Sequence, residues 1–255
     1  MAIVFDTHGS GPPLVLLHGI GSRRGVWDPV VGTLARDRRV IALDVPGFGD
    51  SPQDGVEPTV AGFAARLERW FAEQGLGRPH VAGNSMGGAI ALELGRRGAA
   101  ASVCAISPAG FWTPRERVYA QSTLRASRAL ARRIRPAVPA ITRTAVGRTA
   151  LFGQVYGRPW RLSPAESVAT IDAFLDAPAF EAAMDAFTDH VFRNGDALRG
   201  TPVTVAWGTR DALLIPRQGR RAQRIMPWAR HVTLRGCGHV PFHDDPPMVA
   251  AAIAA

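Results

Sequence analysis

The sequence predicts an α/β architecture: a doubly wound, mostly parallel sheet interrupted by a helical insertion. Three observations lead there. Short apolar runs alternate with helical patterns along most of the 255 residues. That alternation marks βαβ units, and right-handed crossovers then put helices on both faces of the sheet. Ser85, Asp211 and His239 each fall just after one of the apolar runs, so they converge on the carboxyl edge of the sheet, where such folds do their chemistry. Between about residues 111 and 196 the alternation stops, and prolines and helical patterns replace strands.

In chain order, strands are expected at 3–5, 14–17, 40–43, 81–82, 103–106, 203–207 and 231–234. Helices are expected at about 26–36, 59–74, 86–98, 215–226 and 243–254. Inside the insertion, Ser163-Pro164-Ala165-Glu166 puts a capping serine before a proline at the first helical position and a glutamate at the third. That pattern starts a helix. The expected organisation is a core from 1–110 and 197–255, with 111–196 folded as a helical cap over the carboxyl edge.

Composition narrows the function. A chain with 46% hydrophobic and 20% charged residues is globular and not disordered. No apolar run reaches the length that spans a bilayer. Met1-Ala2-Ile3-Val4-Phe5-Asp6 has neither the basic start nor the apolar stretch of a signal peptide. A cytoplasmic location is expected. Two cysteines, Cys104 and Cys237, make neither a disulfide framework nor a zinc site. Cys104 is expected in the core and Cys237 in a loop near the site. All 30 basic residues are arginine, which excludes a P-loop lysine, a pyridoxal-phosphate Schiff base and a Tyr-x-x-x-Lys pair.

The charge of the insertion is polarised. Residues 113–161 hold eleven arginines against the single acid Glu116, whereas 162–197 hold seven acids against Arg193. Arg125, Arg128, Arg132 and Arg135 recur on one helical face. Two readings stay open. The stripe is a basic face answered by acids such as Asp172, Asp176, Asp185 and Asp189, or it attracts an anionic substrate, acyl-CoA included, or an anionic membrane surface.

The chemistry starts at Gly83-Asn84-Ser85-Met86-Gly87-Gly88, which fits the G-x-S-x-G nucleophile elbow. A serine becomes a useful nucleophile when a base takes its proton and a third group holds that base. His239 sits in a glycine-flanked loop, and Asp211 follows the penultimate expected strand, with Asp44 and Asp244 as rivals for the acid. An oxyanion hole needs two backbone N–H groups, one from the residue after the nucleophile, here Met86. A dinucleotide-binding reading of Gly19-Ile20-Gly21-Ser22-Arg23-Arg24-Gly25 fails, because the third glycine is one residue late and Asp44 runs into a Pro-Gly turn.

Four further segments carry a family resemblance: Leu16-Leu17-His18-Gly19-Ile20-Gly21, Asp44-Val45-Pro46-Gly47-Phe48-Gly49-Asp50-Ser51, Trp207-Gly208-Thr209-Arg210-Asp211 and Gly236-Cys237-Gly238-His239-Val240-Pro241. Together with the elbow they resemble the α/β-hydrolase superfamily over nearly all of the chain outside the insertion. The resemblance implies Ser85 as nucleophile, His239 as base, Asp211 as its carboxylate and the Ile20 amide as the second oxyanion donor beside Met86. It implies a structural role for the His18 imidazole, and no metal or organic cofactor. His243 is expected at the surface.

The expected activity is hydrolysis of a small-molecule carboxylic ester or thioester, with no nucleic acid as partner and a membrane surface left open only for the arginine stripe. The alternative is carbon–carbon bond hydrolysis of aromatic ring-fission products, whose enzymes have a similar elbow. From those enzymes the chain departs at Val240 and at the lean Gly19-Ile20-Gly21 loop. A non-catalytic ligand-binding role is a third class, and perhydrolysis a side activity. Phe111, Trp112, Leu151, Phe152, Trp160, Phe174 and Phe187 are candidates to line an acyl pocket.

Overall fold

Apolar periodicity dictates where strand, turn and helix succeed one another. In the computed structural model, which describes residues 2–254, β1 (Phe5–His8) and β2 (Pro13–Leu17) precede α1 (Asp28–Leu34), β3 (Arg39–Leu43) and α2 (Val60–Glu73). Then come β4 (His80–Asn84), α3 (Met86–Arg96) and β5 (Ser102–Ile106). The insertion supplies α4 (Pro114–Ile134), α5 (Val138–Ile141), α6 (Ala145–Phe152), α7 (Pro164–Leu175) and α8 (Phe180–Ala186). The chain returns through β6 (Val203–Gly208), α9 (Pro216–Ile225), β7 (Arg230–Leu234) and α10 (Pro246–Ala254).

The strands form one sheet in the order β1-β3-β2-β4-β5-β6-β7. β1 runs antiparallel to β3, and the remaining pairings are parallel. Successive residues of the central strands sort to opposite faces, as the pleat requires. Val15, Leu17, Val81, Val103 and Val205 pack with Phe63, Leu67 and Ile90 of α2 and α3. Leu14, Leu16, Ala82, Cys104 and Ala206 pack with Val30 and Leu34 of α1 and Val249 of α10. Burial on both faces explains why these strands read as continuous apolar runs. The strand order reverses between β2 and β4, and the loops that leave their carboxyl ends open a crevice there.

One expectation from sequence shifts. The first strand forms at Phe5–His8 rather than 3–5. Pairing with β3 fixes it, while apolar Ile3 is buried in the core ahead of it. Cys237 lies in the loop before His239, as expected, and is fully buried there among Leu234, Phe242 and Val249.

The arginine stripe of α4 and of Arg135, which caps its C-terminus, fastens the insertion together. Arg125 meets Asp185 at 2.5 Å and Glu181 at 3.2 Å. Arg128 is buried; it donates to the carbonyl oxygens of Phe174, Leu175 and Ala177 and lies 4.4 Å from the centre of the Phe180 ring. Arg135 reaches Asp172 and Asp176, each at 2.9 Å. Glu181 takes the place expected for Asp189. With three of the four arginines paired or buried against α7 and α8, the stripe is not a free attractor for anions. As the sequence requires, α7 begins with a capping box between Ser163 and Glu166, and α4 begins the same way at Thr113 and Glu116.

Candidate active site

The residue after β4 has a backbone that its neighbours force upon it. Ser85 adopts φ 57° and ψ −115°, a conformation costly for a residue with a side chain. Its N–H donates to Ile106 at 3.0 Å, and its carbonyl accepts from Ala89 and Ala109 at 3.0 and 3.1 Å. These bonds hold the turn from both sides. A β-carbon on Gly83 would collide with the carbonyl of Gly87, and one on Gly87 with the carbonyl of Leu17. Only glycine permits that crossing of strand, elbow and helix.

α3 starts at Met86, directly after Ser85. The first N–H groups of a helix have no partner within it and point along its axis with partial positive charge. The loop after β2 closes in from the other side. A β-carbon on Gly19 would stand 3.2 Å from the Ser85 β-carbon, so Gly19-Ile20-Gly21 borders the serine directly. His18 anchors this loop. Its Nδ1 donates to the Gly19 carbonyl at 2.8 Å, and its Nε2 accepts the Val45 N–H at 3.0 Å. Burial lowers its pKa below the usual 6.5, which suits a neutral ring with one donor and one acceptor.

Asp211 lies in the turn after β6 and is buried. Its Oδ1 accepts the N–H groups of Leu213 and Leu214 at 3.0 and 2.7 Å, and its Oδ2 faces His239 Nδ1 at 2.9 Å. A carboxylate only accepts, so Nδ1 carries the proton and Nε2 keeps its lone pair. His239, in the loop after β7, lines the same cavity as Ser85, Asn84, Ile20 and Leu213. The rival acids have other work. Asp44 pairs with Arg24 and accepts the N–H groups of Arg24 and Asp50. Asp244 accepts the N–H groups of Gly157, Arg158 and Gly238 at 2.8, 2.6 and 2.7 Å.

The cavity has a volume of about 770 Å³ and lies between the sheet edge and the insertion. Leu151, Phe152 and Phe174 line it as expected. Phe111, Trp112 and Phe187 are core residues instead, and Trp160 is half-exposed. His243, expected at the surface, also lines the cavity, with Nδ1 3.8 Å from Glu166 on α7. The insertion covers it, so only tertiary packing reveals its place. Among the described residues no three His, Cys, Asp or Glu side chains stand close enough to share a metal ion.

Sequence similarity runs the length of the chain. Residues 14–252 match the alpha/beta hydrolase family. An uncharacterized protein of Mycobacterium tuberculosis is 29% identical over 260 residues, covering 95% of this chain and 74% of that protein. The pimeloyl-[acyl-carrier protein] methyl ester esterase of Aeromonas hydrophila is 40% identical over 95 residues, 37% of this chain and 36% of the esterase. Among solved structures, a thermophilic esterase of Thermogutta terrifontis superimposes with a TM-score of 0.72 at 25% identity, over 99% of this chain and 91% of its own. Matched over almost its whole length and folded as these hydrolases fold, the chain belongs to the alpha/beta hydrolase family and is a hydrolase.

Proposed function

We propose that the chain is a serine hydrolase that cleaves a carboxylic ester or thioester through an acyl-enzyme. Its main support is the meeting of Ser85, on a strained elbow, with a histidine whose Nδ1 is held 2.9 Å from Asp211, at the wall of one cavity. Likeness to esterases along part or most of the chain adds to it.

In the first step Ser85 Oγ bonds to the acyl carbon while His239 Nε2 takes its proton. Asp211 fixes the tautomer and stabilises the imidazolium. The amides of Met86 and Ile20 stabilise the oxyanion, the Met86 amide reinforced by the positive end of α3. Collapse of the tetrahedral intermediate breaks the bond to the alkoxide or thiolate, which leaves with the proton from His239. Water then gives a proton to His239 and its hydroxide to the acyl carbon, and the acid departs as the proton returns to Ser85. The helical insertion acts as the cap that excludes bulk water.

Ser85→Ala tests the assignment. With a p-nitrophenyl ester, kcat falls by about 10⁴–10⁶-fold while the thermal melt stays near wild type, because transition-state stabilisation is lost without a change in core packing. Substantial residual activity would remove Ser85 from the mechanism.

A further inference from the structure

The first half of the insertion is the most basic stretch of the chain, yet the cavity it covers has an apolar interior. The partition arises on α4. Its arginine stripe turns to the acids of α7 and α8, and the neighbouring stripe of Leu124, Ser127, Ala131 and Ile134 lines the cavity. α7 divides likewise: Asp172 and Asp176 hold Arg135, while Ala169 and Ala173, one turn apart, line the cavity.

The charged groups of the lining gather at the rim. Arg23, Asp28 and Glu166 are exposed, and half-buried His243 interacts with both acids. Deeper in, the buried lining contributed away from Asn84, Ser85 and His239 is Ala131, Phe152, Tyr156, Ile171 and Leu213. No arginine reaches that interior among the described residues, so a carboxylate, phosphate or CoA head placed there would be desolvated without a cation. About 770 Å³ is room for a ligand of drug size, toward the upper end of the ~300–1,000 Å³ typical of such sites. A two-carbon acyl group would leave most of it unfilled.

We propose that the substrates are uncharged esters of a long aliphatic acid, whose acyl chain lies between α4 and α7 with its length read at Ala169 and Ala173. This deepens the serine-hydrolase assignment and rests on it for turnover. Small side chains on facing helices leave a channel that apolar surface can fill, and each buried methylene adds a similar increment of binding. A negative charge at the far end of the chain would meet neutral side chains, Gln154, Thr170 and Tyr156 among apolar ones, and, within the described residues, no cation.

The test compares p-nitrophenyl acetate, butyrate, octanoate and dodecanoate with the mono-p-nitrophenyl ester of suberic acid, which has the length of octanoate and a terminal carboxylate. From acetate to octanoate kcat/KM rises at least ~100-fold, given about fourfold for each fully buried methylene. The suberate ester is at least ~100-fold poorer than octanoate, because its carboxylate is desolvated unpaired. Ala169→Phe and Ala173→Phe each lower the octanoate-to-acetate ratio at least ~10-fold, since the ring takes the volume of the chain. Binding of methyl octanoate and monomethyl suberate to Ser85→Ala, measured by calorimetry, reads the cavity without turnover. Preference for methyl octanoate supports the ligand class even if wild type hydrolysed no ester, an outcome that would overturn the serine-hydrolase assignment alone. A flat chain-length profile, or equal binding of the two methyl esters, would overturn the inference and leave Ser85 chemistry standing.

Discussion

The side-chain amide of Asn84 donates to the carbonyl oxygen of His239 at 2.9 Å. The same Nδ2 donates to Ile106 at 3.1 Å. The residue before the serine therefore ties the end of β4 to the loop that carries the histidine, across 155 positions of sequence. Strand β4 and the histidine loop are held in one frame by a group that takes no part in proton transfer.

Replacing Asn84 with Ala takes the donor from the buried His239 carbonyl oxygen, while Ile106 keeps the Ser85 N–H, a loss of about 1–3 kcal/mol. Kinetics separate this from a purely structural effect. With the histidine loop released, kcat falls about 10-fold or more at nearly constant KM, because small misplacements of a catalytic group are expensive. Asn84→Asp is worse on both counts, since a carboxylate would face two carbonyl oxygens. A lower Tm with unchanged kcat would show that the bond supports the fold alone.

Asp211 and Asp44 separate in the opposite manner. Asp211→Asn keeps an oxygen for Leu213 and Leu214 but offers an N–H to His239, favouring the wrong tautomer. A loss of roughly 10⁴-fold in kcat with a modest change in Tm is expected. Asp44→Asn weakens the contacts to Arg24 and to two backbone N–H groups. It lowers stability by about 1–3 kcal/mol and leaves most of the activity. Urea melts and kcat for both variants decide the matter; a heavier catalytic loss at Asp44 would reassign the acid.

The Asp244 side chain joins the insertion to the histidine loop. Its buried carboxylate accepts three N–H groups, two from the insertion and one from Gly238. Asp244→Ala strands all three and costs about 3 kcal/mol or more, which lowers Tm by about 6–12 °C at this chain length. A shift under 2 °C, roughly 1 kcal/mol or less on that scale, would mean that water replaces the carboxylate without loss.

The elbow, the strand ends and the glycine-flanked histidine were legible in the sequence because each depends on neighbours within a few residues. Gly83 and Gly87 report a close crossing through their own lack of a side chain. Asp244 and His243 were not legible in the same way. Both follow His239 by a few positions, and what they do depends on where Gly157, Arg158 and Glu166 of the insertion come to rest. Periodicity put the arginines of α4 on one face but did not say what would cover it. The answering acids came from α7 and α8, with Glu181 in place of Asp189, a matter of helix packing and not of spacing.

Acid weakens the fold through His18. Burial lowers its pKa below 6.5, so the unfolded chain binds more protons as pH drops past that value. Stability from the neutral ring is present above 6.5 and is lost as pH falls through the folded pKa, at up to about 1.4 kcal/mol per pH unit. Protonation would also turn Nε2 from an acceptor into a donor facing the Val45 N–H, against the modest attraction of Asp44 4.0 Å away. In an NMR titration the His18 midpoint falls below pH 6.5. A titration midpoint at or above 6.5 would contradict this.

The most direct test of the central claim is the site of covalent capture. Wild-type protein is treated with a fluorophosphonate bearing an alkyl chain, digested and mapped by mass spectrometry, with Ser85→Ala, Asp211→Asn and His239→Ala alongside. The account predicts one adduct, on Ser85, formed much more slowly in Asp211→Asn and His239→Ala and absent from Ser85→Ala. An adduct on another residue, or labelling of Ser85 at the same rate without His239, would contradict it.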